Sequence, residues 1–218
     1  MKTTQLTILL VSLIFCAGIL LPAFGQEAKP IQLPQPKLDP NKSLAQALKE
    51  RQTTREYGGD LSPQMLANAL WAACGINRPD SGKRTAPTAR NWQEIEVYVA
   101  TKQRMYLYDP KTNALVPIVS QDIRPLTYTQ VDRFKDAPIN LVYIADLAKT
   151  DVEEAAAMLL VAMDTGFAAQ NVYLYCASEG LPTGFRVSIP KDKLGQAMKL
   201  RPKQRIMAAQ SIGLPKGK

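Results

Sequence analysis

Apolar positions recur along this chain with two different periods. Helical spacing marks Ser43–Glu50, with Leu44, Ala47 and Leu48 on one face, and Pro63–Cys74, with Leu66, Ala69, Leu70 and Ala73. Ser62 ahead of Pro63 predicts a capped start with proline at the first helical position, and Gly75 is placed to end that helix. Strand alternation marks Ile95–Ala100, with Met105–Asp109 predicted as its hairpin partner and Ala114–Ser120 as an extension. Ile139–Ala145 is apolar almost without a break, which predicts a central strand. From Val152 to about Ser178 an alanine-rich run is apolar on more than one face. It predicts a long helix buried between layers or in a subunit interface, capped by Asp151 and ended by Gly180.

Between these elements the pattern is weaker. Asn77–Arg84 reads as a polar, mobile loop, and residues 121–137 as a mixture of helix and loop. Leu181–Ser188 reads as a loop or short strand, Lys191–Lys199 as a small helix and Arg205–Ile212 as a last strand. The order predicts an α+β layered fold, with a mostly antiparallel central sheet flanked by helices.

The N-terminal pattern is of another kind. Lys2, the apolar run Leu6–Leu21 and the small-x-small stretch Ala23-Phe24-Gly25 read as a signal peptide cleaved near Gly25, hence an exported chain beginning at Gln26. The run is short for a stable membrane span, and Phe15 before Cys16 argues against a lipoprotein. Residues 26–42 are a proline-rich arm, and 43–218 form the domain. Cys74 and Cys176 sit in apolar helical contexts and read as buried free thiols, with a disulfide left open by export.

Composition removes whole classes of chemistry. With no histidine there is no Ser-His-Asp triad, no Cys-His dyad and no histidine-bearing zinc site. A net charge of +8 suits anionic ligands, but no basic run or aromatic signature points to nucleic acid. No side chain stands out as catalytic or as a metal ligand.

Two stretches carry candidate binding chemistry. Arg51-Gln52-Thr53-Thr54-Arg55-Glu56-Tyr57 places two guanidiniums four residues apart with hydroxyls between them, at a predicted helix end. Such a cluster can grip a phosphate, or it can be an exposed basic end that complements the helix dipole. Thr85–Gln93 is dense in donors and leads directly into a strand. Trp71 reads as core, while Trp92 suits either a binding site or plain packing. Tyr98, Tyr106 and Tyr108 read as sheet-face packing, and Glu50 and Glu56 as solvated charges.

In order, these pieces resemble the nitroreductase superfamily of FMN-dependent oxidoreductases, including the branch related to azoline-forming oxidases. The resemblance rests on Arg51, Thr53, Arg55 and Tyr57; on Pro87, Thr88, Asn91 and Gln93; on Asp164, Gly166, Gln170, Asn171, Gly180 and Leu181; and on Gly213 and Pro215. It implies that Arg51 and Thr53 hold an FMN phosphate with Gln52 alongside. It also implies that Arg55 faces the pyrimidine edge, that Asn91 bonds that edge, and that Pro87, Thr88, Ala89 and Arg90 line the same loop. Arg186-Val187-Ser188 would present a backbone N–H near flavin N5. The implied enzyme is a homodimer passing a hydride or electron pair to a small organic acceptor, from NAD(P)H or another donor. A non-catalytic flavin- or anion-binding homodimer of the same fold is the alternative. Lys216 and Lys218 are the basic residues on hand near the C-terminal end.

Overall fold

Our computed structural model describes residues 28–217, so the expected signal peptide and Lys218 lie outside the described residues. The elements run β1 (Ile31–Gln32), α1 (Leu44–Glu50), β2 (Tyr57–Gly59), α2 (Pro63–Cys74), β3 (Ile76–Arg78), β4 (Lys83–Arg84), β5 (Ile95–Ala100), β6 (Met105–Asp109) and β7 (Ala114–Val119). They continue with α3 (Val131–Phe134), β8 (Ile139–Asp146), α4 (Glu154–Glu179), β9 (Thr183–Arg186), α5 (Lys191–Met198), β10 (Gln204–Ile212) and β11 (Leu214–Pro215). Seven strands form one sheet in the order β1-β7-β6-β5-β8-β10-β9, and every neighbouring pair is antiparallel.

β8 lies inside this sheet and is buried along its whole length. Its residues alternate between two cores. Ile139, Leu141, Tyr143 and Ala145 face the larger one, shared with α2 and α4, and Val142 and Ile144 face the smaller one, shared with α5. Covering on both faces explains the nearly unbroken apolar run. In β10 a bulge between Ile206 and Ala208 shifts the register, so Met207 and Ala208 both turn toward the larger core.

Helix ends follow their side chains. Ser43 and Ser62 accept from the N–H of Gln46 and Met65, and Gly180 closes α4 in the left-handed region at φ 66°. Gly75 ends α2 for a different reason. Its φ is −66°, but a Cβ there would lie 2.3 Å from Trp71 Cδ1 and 2.7 Å from Trp71 Cα. Trp71 itself is half-buried, and its Nε1 donates to Ile76 O.

Several expectations are corrected. Asn77–Arg84 is not a loop but most of a small hairpin, β3 with β4. Asp151 does not cap α4: Glu153 occupies that position in extended backbone, and the Asp151 carboxylate instead pairs with Arg90 and Trp92. The described part of the proline-rich arm packs against the domain. Ile31 and Gln32 pair with β7, Leu33 is buried, and Asn68 both accepts from Lys37 N and donates to Lys37 O, each at 2.8 Å. Of the apolar face of α1, Ala47 is buried while Leu44 and Leu48 remain exposed.

The two glycine caps give a test. Gly75→Ala forces a Cβ against backbone and is expected to cost about 2–3 kcal/mol, more than Gly180→Ala at about 1 kcal/mol, where the space is open and only φ is strained. Urea midpoints of the two variants check the order.

Candidate functional site

Arg51 closes α1 with its N–H on Ala47 O, after which the chain runs extended beside the start of β9, with Thr54 N donating to Thr183 O at 3.1 Å. Extended backbone sends alternate side chains to opposite sides. Arg51, Thr53 and Arg55 turn one way. The Arg51 guanidinium lies over the Tyr173 ring at 5.5 Å, Thr53 Oγ1 is 2.9 Å from Tyr173 Oη, and the Arg55 guanidinium lies 5.5 Å from the Phe134 ring. Gln52, Thr54 and Glu56 line a separate cleft of about 490 Å³ with Glu50 and Lys216. The predicted phosphate cluster is therefore divided, and Gln52 faces away from Arg51.

Tyr57 pairs into the small sheet of β2 and β11. Its hydroxyl is buried near Ser211 without hydrogen-bond geometry, and burial pushes its pKa up to about 12 against the pull of Ser211, Arg186 and Arg55. Gly184 lets Phe134, Tyr57 and Arg55 converge: a Cβ there would meet all three at 3.2–3.4 Å. Arg55 Nε is buried without a partner.

Arg186 ends β9 and turns its side chain inward. Nε donates to Thr127 O at 2.8 Å, and one terminal nitrogen reaches Asn140 Oδ1 and Thr127 Oγ1. The other reaches Ser211 Oγ, and Gly184 O at 3.4 Å. Every partner is neutral. The guanidinium lies 4.1 Å from the Phe134 centroid, and its pKa is pushed down to about 10, by burial first and then by Arg55, against Tyr57 and Tyr128. Of the predicted segment, Val187 is exposed, and Ser188 Oγ meets Thr129 Oγ1 at 2.6 Å.

The second predicted stretch lies elsewhere on the surface. Thr88 Oγ1 accepts from Gln93 N, and Ala89 N donates to Asp164 Oδ2 at 2.8 Å, which fastens the Pro87–Asn91 turn to α4. Arg90, Asn91 and Gln93 all have positive φ, and Pro87 and Asn91 are exposed. Asp164 and Tyr173 are nine residues apart in α4, about 14 Å along the axis. One chain therefore does not bring the two stretches together.

Sequence reasoning passed over Tyr173, whose hydroxyl also accepts from Phe185 N at 2.9 Å and so ties α4 to both Thr53 and β9. It passed over Phe134 and Glu94 as well. Glu94 is fully buried just ahead of β5, and its position directly after the donor-rich loop was the available signal.

Comparison with known proteins places this geometry. A model of the Nitroreductase family matches residues 48–214. A Methanocaldococcus jannaschii protein described as a nitroreductase is 30% identical over 151 residues, which is 64% of this chain and 76% of its own. A crystal structure from Ralstonia eutropha JMP134, also described as a nitroreductase, has a TM-score of 0.83 at 33% identity, over 90% of this chain and 94% of that one. A Desulfovibrio desulfuricans structure solved with FMN shares the fold at a TM-score of 0.59 and 18% identity, over 82% of this chain and 88% of that one. So does the E. coli microcin synthetase McbBCD complex, at 0.64 and 20%, over 94% of this chain and 84% of that one. The chain belongs to the nitroreductase family, and is an FMN-dependent oxidoreductase by that membership.

Proposed function

We propose that the chain works as an exported homodimer that binds FMN and passes a hydride or electron pair from NAD(P)H or another reduced donor to a small organic acceptor. The observation that carries this reading is a pair of guanidiniums that meet no carboxylate among the described residues. Arg55 and Arg186 converge on Phe134, neither makes a salt bridge, and Arg55 Nε and the Tyr57 hydroxyl are buried without partners. Polar groups left bare in this way fit an anionic, flat, hydrogen-bonding ligand.

In this reading Arg51 and Thr53 hold the phosphate, with Gln52 contributing only backbone. Arg55 faces the pyrimidine edge, where its charge stabilises negative charge that develops on reduction. When bound, FMN supplies the two-electron chemistry, and the protein supplies position, charge compensation and exclusion of water. Val187 and Ser188, exposed beyond β9, offer backbone donors beside the same pocket.

A second copy completes the site. The Pro87–Asn91 turn sits about 14 Å along α4 from Tyr173, so Thr88, Ala89 and Asn91 reach a flavin from the partner chain. The surface of α4 supports this. Leu159, Met163 and Phe167 are 63%, 50% and 47% exposed at four-residue spacing, in a stripe with Gly166 and Ala162. Export rests on the signal-like residues 1–25.

Three outcomes are expected. Arg51→Ala lowers FMN affinity about 10- to 100-fold in a fluorescence titration, the loss of one charge-assisted phosphate contact; unchanged occupancy removes the phosphate assignment. Tyr173→Phe strands the Phe185 N–H, costs about 1–3 kcal/mol in urea unfolding and weakens FMN retention with it. The double change Met163→Glu with Phe167→Glu gives a monomer by light scattering that also fails to retain flavin, and a monomer that stays yellow refutes the shared site.

A further inference from the structure

Glu94 is fully buried, and neither of its carboxyl oxygens meets a hydrogen-bond donor. A buried carboxylate without donor or counter-charge is strongly disfavoured. Arg84 is near, but its Nη1 donates to the carbonyls of Gln93 and Ile95, and its buried Nε has no partner. The group within hydrogen-bonding reach of Glu94 is a second acid, Asp164 of α4, itself buried. Two buried carboxyl groups in contact are tolerated when a single proton lies between them, since repulsion then becomes a short, charge-assisted O–H···O bond. Asp164 already accepts the Ala89 N–H at 2.8 Å, while neither Glu94 oxygen makes a hydrogen bond of good geometry among the described residues, so the proton resides on Glu94.

We propose that Glu94 is a positioning residue: as a neutral acid it donates to Asp164, Asp164 holds the Ala89 N–H, and the pair pins the Pro87–Gln93 turn to α4. The turn needs an anchor, because three of its non-glycine residues, Arg90, Asn91 and Gln93, hold the left-handed conformation. Its other ties include the Thr88 Oγ1 bond to Gln93 N, the Gln93 side chain on Gly82 O, the Arg84 bond to Gln93 O, and the exposed pairing of Arg90 and Trp92 with Asp151. Ionisation of Glu94 would place two negative charges in contact under the turn and release it.

Charge and burial set where this happens. Burial raises the Glu94 pKa most, its own backbone N–H opposes this, Asp164 raises it further and Arg84 opposes again, which brings it from an ordinary 4.5 to about 7. An acid whose folded-state pKa is raised holds its proton in the folded chain while the unfolded chain has lost it. Stability therefore falls as pH climbs from 4.5 to about 7 and levels off above that. The Ala89 amide loses protection as pH rises through about 7, where Glu94 ionises in the folded chain. Nothing here requires a flavin, so the inference stands or falls separately from the cofactor reading.

The experiment follows Ala89 amide exchange, as a protection factor, together with the urea midpoint, from pH 4.5 to 8.5 in the wild type and in two variants. The wild-type protection factor should drop about tenfold or more across the upper half of that range. Glu94→Gln supplies a donor that does not ionise, so its protection stays level. Asp164→Asn keeps an acceptor for Ala89 and gives Glu94 a neutral partner, so the decline shrinks and moves to lower pH. If one variant fails to fold, the other still decides. A flat wild-type profile, or variants that decline just as the wild type does, overturns the proposal.

Discussion

A guanidinium buried without a carboxylate is the constraint around which this fold is arranged. Arg186 is held by neutral oxygens from three directions: Thr127 of the segment before α3, Asn140 of β8 and Ser211 of β10. The latter two residues face each other across the β8–β10 register, and Arg186 comes from the adjacent β9. A buried cation is tolerated when its donors are satisfied, but its charge is not cancelled by dipoles. The surplus field points toward Phe134, Arg55 and Tyr57, where protein partners stop. An anion bound there, as proposed, would complete the electrostatics. The chain's lack of histidine fits such a site, which stabilises charge rather than shuttling protons.

Hydroxyl and amide side chains do the aligning. Tyr173 is the hinge of the arrangement, with its ring under Arg51 and its oxygen between Thr53 and the Phe185 N–H. Gly184 allows the close convergence of three side chains beside it. Both residues belong to the layer that joins α4 to β9, so the cation cluster rests on rigid elements although it lies on an irregular segment.

Much of the framework was legible from local pattern. The limits of α2, β5 and β6 follow from capping residues and strict alternation, and β8 declared its central place by an apolar run that Asn140 alone interrupts between Ile139 and Ala145. The donor-rich stretches at Arg51–Tyr57 and Thr85–Gln93 were also visible as such. What failed were features decided by distant partners. Asp151 has the composition of a helix cap, but Arg90 and Trp92, some sixty residues earlier, take its carboxylate. β3 and β4 are too short to show alternation. Glu94 reads as an ordinary acid until Asp164, seventy residues on, is set against it. The directions of the Gln52 and Arg186 side chains were not legible either, since they depend on strand geometry that sequence spacing does not carry.

The pairing of Tyr57 and Gly59 with Leu214 and Pro215 has a consequence in time rather than in space. At Gly58 the two strands approach so closely that a Cβ would sit 2.5 Å from Pro215 O. The backbone just after Arg55 is therefore clasped by residues more than 150 positions later. Such distant closure is slow and comes late in folding. A nascent chain threaded outward in extended form would carry its first arginines across long before their clasp exists. A cofactor bound at that arginine segment would then be captured only by a chain whose clasp has closed.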